Sequence, residues 1–315
     1  MADVEELLTG AAEDLFRRGL TPERRRESEE DGWSPEVWRS LESAGLTAAG
    51  WEAGLAEAAE VVRVAARHAA PVPLAETAML AAWALGEAGI DPPSGPLTAG
   101  WFNDGVAVGV PYGRHAGAVV AITIDGVALL RQEAYVVEPG ANVAGEPRDT
   151  LRLAGPLPGL VSGPGRAALE ERGALMRAVQ IAGALETVLE LSVTYAGDRR
   201  QFGSPLLRFQ AIQEQLALLA AEVAAARASV AVALEQPDWQ CIAAAKVRAG
   251  SAAGHAVRIA HQVHGAIGFT DEHQLHQFTR RLLSWRDEYG TEYEWAERLG
   301  SALVPDGYWE MSTKQ

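Results

Sequence analysis

From Ala174 to Val263 the chain reads as long Ala- and Leu-rich helices, Ala174–Asp198, Gln210–Glu235 and Trp239–Val263, separated by short breaks. Helices of this length, joined this tightly, bury their apolar faces against antiparallel neighbours, so this half of the chain is constrained to a helical bundle. A fourth helix, from about Asp271 into the WRDEYG stretch, completes it. One break is unusual. In RRQFGSPLLRFQ, Arg199 to Gln210, an Arg pair, Phe202-Gly203 and Ser204-Pro205 fall between two apolar helices. Proline lacks an amide hydrogen and its ring clashes with the preceding turn, so the helix must end at or before it. The break is then either an ordinary helix–loop–helix corner or one that presents Arg199, Gln201 and Phe202 to a ligand.

Upstream, residues from Val4 to about Leu85 also read as helical, with Ser34 as an N-cap and Pro35 in the first turn of one helix. The charged TPERRRESEEDGW reads as a solvated connection, and AAPVPLAET ends one helix and opens the next. The pattern changes at DPPSGPLTAG. From Thr98 to about Leu153 short Val- and Ile-rich runs alternate with Gly and Pro, enough for five or six strands in a small barrel or sandwich. Ile124-Asp125-Gly126-Val127 reads as a hairpin through Asp-Gly. The expected architecture is mostly α with a small β domain: helices over 1–96, strands over 97–160 and a four-helix bundle over 161–315.

A formal charge of −15 argues against nucleic acid as a partner, because phosphate backbones need a basic face. No run of about 18 uninterrupted apolar residues points to a membrane. The acidic, amphipathic MADVEELLTGAAEDLF does not resemble a secretory signal, so a cytoplasmic location is expected. Cys241, the single cysteine, excludes an intrachain disulfide and is expected to be a small core residue.

Most motifs are missing: no GxGxxG between strand and helix, no GxxxxGK[ST], no GxSxG and no HExxH. His261/His264 and His273/His276 each share a helix face at a spacing of three, as metal ligands would. The intervening Gly265-Ala266-Ile267-Gly268, and the lack of a matching carboxylate–His pattern elsewhere, favour histidines that cap helix-end carbonyls, with no metal.

Two stretches carry a resemblance. YAGDRRQFGSPLLRFQAIQEQLALLAAE is similar to the Y-A-x-x-R-x-Q-F-G-x-P-L-x-x-F-Q-x-x-Q segment of the acyl-CoA dehydrogenase family, and QVHGAIGFTDEHQLHQFTRR resembles its Q-x-H-G-G-x-G-F-T-x-E-x-x-L-H-x-x-x-R-R. The helix–β–helix layout is also that family's. The resemblance implies an FAD-dependent acyl-CoA dehydrogenase. Arg199 would reach the FAD pyrophosphate, with Gln201, Phe202 and Gln210 at the same cofactor and Gln262, Gly265 and Ala266 in a second FAD-binding segment. In the family both segments serve the FAD of the neighbouring subunit. An Arg gives a planar, permanently charged fork for phosphate oxygens.

Departures from the family pattern are as informative. The family's base is a Glu directly before Gly-Thr, where this chain has Tyr289, with Glu288 one residue away and turned about 100° if the helix continues. In some members the base sits at the start of the helix before R-x-Q-F-G. That position is Gly173, just after Glu170 and Glu171. The family's T-E-P-x-x-G-S-D and W-x-I-T strands, which embrace the flavin ring, are not found between Thr98 and Leu160, and VEPGANVAGEPRDTLRLAG resembles the shortened subunits of heterotetrameric sterol side-chain acyl-CoA dehydrogenases. The implied role is a subunit with no catalytic residue of its own, acting on an acyl-CoA beside a complete second subunit. The rivals are a self-sufficient homo-oligomer using Glu288 or Glu171 as base, and a non-catalytic binding protein of the same fold.

Overall fold

The computed structural model describes residues 2–29 and 31–303. Its elements in order are α1 (Ala2–Gly19), α2 (Pro22–Glu29), α3 (Pro35–Ser43), α4 (Ala49–Glu52), α5 (Leu55–Arg67), a π-helical turn (Glu76–Ala81) running into α6 (Ala82–Glu87), and then the strands β1 (Leu97–Trp101), β2 (Val106–Pro111), β3 (Ala118–Ile122), β4 (Val127–Leu130), β5 (Tyr135–Glu138) and β6 (Arg148–Leu153). The C-terminal half holds α7 (Arg166–Asp198), the two-residue strands β7 (Arg200–Gln201) and β8 (Ser204–Pro205), α8 (Gln210–Glu235), α9 (Trp239–His264), α10 (Leu275–Asp287) and α11 (Glu292–Leu303). The mostly helical architecture with a small β region is as expected from the sequence.

Helix α7 packs against α5, α8, α9 and α10. A Cβ on Gly183 would collide with the Arg63 carbonyl, so glycine lets the two backbones meet. Arg63 then bridges to Glu186 at 2.6 Å beside the same contact. A continuous buried core therefore runs from Phe16, Leu41 and Val61 to Leu185 and Val263. By length and composition α8 is apolar enough to cross a membrane, and it packs on α7 and α9 while Leu218 and Val232 stay exposed.

The strands form two three-stranded sheets, ordered β1-β3-β4 and β2-β6-β5. They share a core of Phe102, Val110, Val119, Leu130 and Leu151, which makes them a small sandwich. β3 and β4 form the expected hairpin, with Ile122 opposite Val127 and Gly126 at φ 141°.

Three expectations need correction. TPERRRESEEDGW is not merely a solvated connection, because Pro22–Glu29 is helical. Pro22 supplies a first-turn φ, and Arg25 Nη1 pins the helix to the carbonyl of His68 at 2.8 Å. Cys241 is half-buried rather than a core residue: it lies in the first turn of α9, where its N–H donates to the Asp238 carboxylate at 2.8 Å. The helix that enters WRDEYG stops at Asp287, and Glu288 follows in extended backbone (φ −80°, ψ 144°), so helical rotation does not govern the Glu288–Tyr289 relation.

Candidate functional site

The break after α7 is a tight β-hairpin. Arg199 caps α7, its N–H donating to the Tyr195 carbonyl at 2.9 Å, and Gln201 pairs with Ser204 across the turn. Phe202 and Gly203 occupy the turn at φ 50° and 79°, the left-handed backbone of a two-residue hairpin. An aromatic residue held at positive φ is uncommon, and this one is 93% exposed, with its ring in an edge-to-face arrangement with Phe209. Arg199, Arg200 and Arg208 are exposed, and no carboxylate among the described residues pairs with any of them. Gln210, also exposed, instead donates to Glu214 at 2.8 Å within α8.

The second expected segment closes α9. Gln262, Gly265 and Ala266 are exposed, and Gly265 turns the chain at φ 66° with open space where a Cβ would stand. Tyr195, one turn before Arg199, stacks on His264 at 4.5 Å, so the hairpin and the end of α9 form one surface. His261 stacks on exposed Phe269 at 4.0 Å. His264 Nδ1 bonds to the Ala260 carbonyl at 2.8 Å and His276 Nδ1 to that of His273 at 2.8 Å. Among the described residues no three His, Cys, Asp or Glu side chains gather as a metal set would. The surface therefore offers unpaired guanidinium groups, an upright aromatic ring and an open glycine turn. Such groups suit the pyrophosphate and adenosine end of a dinucleotide such as FAD.

A cleft of about 1140 Å³ opens on another face, lined by Trp101, Val110, Leu169, Tyr289 and Trp295 with Arg148 and Glu288 at its floor. Here Tyr289 and Gly173 meet: a Cβ added to Gly173 would lie inside the Tyr289 ring contact. Tyr289 adopts φ 55°, and its carbonyl accepts the Trp295 indole N–H at 2.8 Å. Burial pushes its phenol well above the ordinary tyrosine range, so the ring is neutral at physiological pH.

Glu288 is clamped from several sides. Arg148 donates to both its oxygens at 2.8 and 3.1 Å, Arg177 donates at 2.7 Å and Asn142 at 3.0 Å. Burial alone would raise its pKa, but the two guanidinium groups outweigh burial and hold the carboxyl at about 2. Behind it, fully buried Arg177 reaches Glu76 at 3.0 Å and Arg148 reaches Glu146 at 3.0 Å. Lys246 Nζ donates to the carbonyls of Trp285, Arg286 and Glu288, each at 2.8 Å, which fixes the chain where α10 ends. Glu171 is tied to Arg298 at 2.7 Å.

This network was not foreseen from the sequence. One signal was present: Arg177 is a lone charge in the apolar run ALMRAVQIAGA, on a helix with little other reason to carry it.

Residues 168–292 match the family "Acyl-CoA dehydrogenase, C-terminal domain". The acyl-CoA dehydrogenase IpdE2 of Mycolicibacterium smegmatis is 32% identical over 314 residues, an alignment covering 95% of this chain and 98% of that protein. Among solved structures, a chain of the ChsE4-ChsE5 complex from Mycobacterium tuberculosis superposes with a TM-score of 0.86 at 24% identity, over 97% of this chain and 99% of that one. A chain of the Tcur3481-Tcur3483 steroid ACAD gives 0.82 at 24% identity, over 95% and 97%.

Proposed function

The chain belongs to the acyl-CoA dehydrogenase family, and from that premise we propose that it is the reduced subunit of a cytoplasmic heterotetrameric enzyme that desaturates an acyl-CoA. The substrate class is a steroid side-chain CoA thioester, in keeping with the steroid enzyme to which the fold is similar. Its three parts, 1–96, 97–160 and 161–315, then act as a helical cover, a small β domain and a bundle that meets the partner.

The carrying observation is the contact between Tyr289 and Gly173, the two positions at which the family places its base. Neither side chain is a carboxylate, and the Tyr289 phenol is neutral at physiological pH. A general base works best with a pKa near the operating pH. Glu288, at about 2 and saturated with donors, is far too weak, and Glu171 is engaged by Arg298. This argues against a self-sufficient enzyme with a displaced Glu. The partner subunit would supply the carboxylate that removes the α-proton.

Bound FAD would supply the acceptor for the hydride that leaves the β-carbon. In this chain Arg199 would hold the cofactor's pyrophosphate with its free guanidinium, Gln201 and Gln210 would add amide donors, and Phe202 would cover its apolar surface. Gln262, Gly265 and Ala266 would line the adenosine end, where the small residues leave the backbone accessible. The uncovered Phe202 supports this use, because an aromatic ring left 93% exposed at the tip of a hairpin is available to a ligand.

The test compares Arg199→Ala with Arg200→Ala in the assembled complex. Losing a charge-assisted contact costs about 1.5–3 kcal/mol, or roughly ten- to a hundred-fold in affinity. After gel filtration Arg199→Ala should lose FAD while Arg200→Ala retains it. Full flavin in both variants, or greater loss from Arg200→Ala, would refute the assignment.

A further inference from the structure

A second, smaller pocket of about 100 Å³ lies where α2, the segment around Gly145 and the start of α10 converge. Its walls carry Arg25, Arg280 and Arg281. In a chain of net charge −15 this is an unusual concentration of cations.

The arginines are only partly satisfied. Arg25 donates to the His68 carbonyl at 2.8 Å and Arg280 to that of Val143 at 2.8 Å. No ion pair joins either of them to a carboxylate among the described residues. Arg281 donates to the Gln277 carbonyl at 3.1 Å, and its buried Nε lies 3.2 Å from Glu146 Oε1 without hydrogen-bond geometry. Glu146 is itself shared with Arg148, Asn142 and Trp285. Asp271, the one carboxylate among the described lining residues, is 99% exposed and stands 3.7 Å from His276 Nε2. Burial and the nearby charge of Arg281 lower the Arg25 pKa to about 10.

Packing like charges together is unfavourable unless an anion joins them. The volume is that of about three waters, enough for one tetrahedral oxyanion. Guanidinium forks match such oxygens in geometry as well as charge.

We propose that this pocket binds a phosphate-class oxyanion, held by Arg25, Arg280 and Arg281, that ties α2 to α10. The anion is either free phosphate or the terminal phosphomonoester of a larger ligand. Arg25, Arg280 and Arg281 belong neither to the hairpin nor to the lining of the Tyr289 cleft, so the proposal stands or falls separately from the proposed catalytic role.

Isothermal titration of the full chain, in the assembly in which it purifies, tests this at fixed ionic strength. One arm uses inorganic phosphate and the other adenosine 3′,5′-bisphosphate. Saturable one-to-one phosphate binding is expected, weakened at least tenfold in Arg280→Ala, whose exposed side chain makes it the variant least disruptive to the fold. Arg25→Gln should weaken binding similarly, and retained secondary structure by circular dichroism would show that it folds. Tighter binding of the bisphosphate identifies a phosphomonoester as the ligand, and equal binding identifies the free ion. No saturable binding in either arm, or undiminished binding in Arg280→Ala, overturns the proposal.

Discussion

Glu288→Gln should be a stability mutant and not a catalytic one. The substitution keeps the shape and one carbonyl acceptor but removes the charge that Arg148 and Arg177 share. Breaking a buried pair typically costs about 3–5 kcal/mol, because the abandoned charge stays buried. Each arginine here keeps a second carboxylate, Glu146 for Arg148 and Glu76 for Arg177, which favours the low end, about 3 kcal/mol. The pKa gives the same figure: a drop from 4.5 to about 2 is also worth roughly 3 kcal/mol. At roughly 2–4 °C per kcal/mol, Tm should fall by about 6–12 °C. Calorimetry of the assembled complex at neutral pH reads this directly, and turnover normalised to bound flavin should stay within about threefold of wild type. Removing a true general base costs roughly a hundred- to ten-thousand-fold. An unchanged Tm with a hundred-fold loss of kcat would refute the reasoning and make Glu288 catalytic.

The same clamp has a pH signature. A carboxyl whose folded pKa is depressed stabilises the protein above its unfolded value and loses that contribution as pH falls, so the Tm gap between wild type and Glu288→Gln should narrow between about pH 4.5 and 2, and a constant gap would contradict it. Gly173→Ala should cost about 1–3 kcal/mol by driving a methyl into the Tyr289 ring, and Tyr289→Ala in the same chain should recover part of that loss. Additive effects in this double-mutant cycle would show that the two residues do not meet as described.

Where local chemistry decides the conformation, the sequence was readable. Ser34 accepts from the Val37 N–H as an N-cap, Asp125-Gly126 closes the β3–β4 hairpin, and α7 stops at Asp198, before Ser204-Pro205. Tertiary contacts overrode it elsewhere. Pro22–Glu29 looked solvated because six of its eight residues are charged, yet Arg25 reaches across to His68 and Ser28 is buried. Helix α11 went unread although Thr291 and Glu294 form a reciprocal capping box, with the Thr291 N–H donating to Glu294 at 2.7 Å and the Glu294 N–H to Thr291 Oγ1 at 3.2 Å. At the site, the Arg199 hairpin and the Gly265 turn could be found by motif, since both are contiguous. The buried ion network joins residues 76, 146, 148, 177, 246 and 288, and no local pattern announces partners so far apart in the chain.

The central claim is that this chain completes a flavin site it does not hold alone. The most direct measurement is the flavin absorbance and acyl-CoA dehydrogenase activity of the chain purified by itself and co-expressed with the proposed partner subunit. A nearly colourless, inactive chain in isolation and a yellow, active complex with bound FAD are expected. A yellow, active, monodisperse homo-oligomer from this chain alone would contradict it.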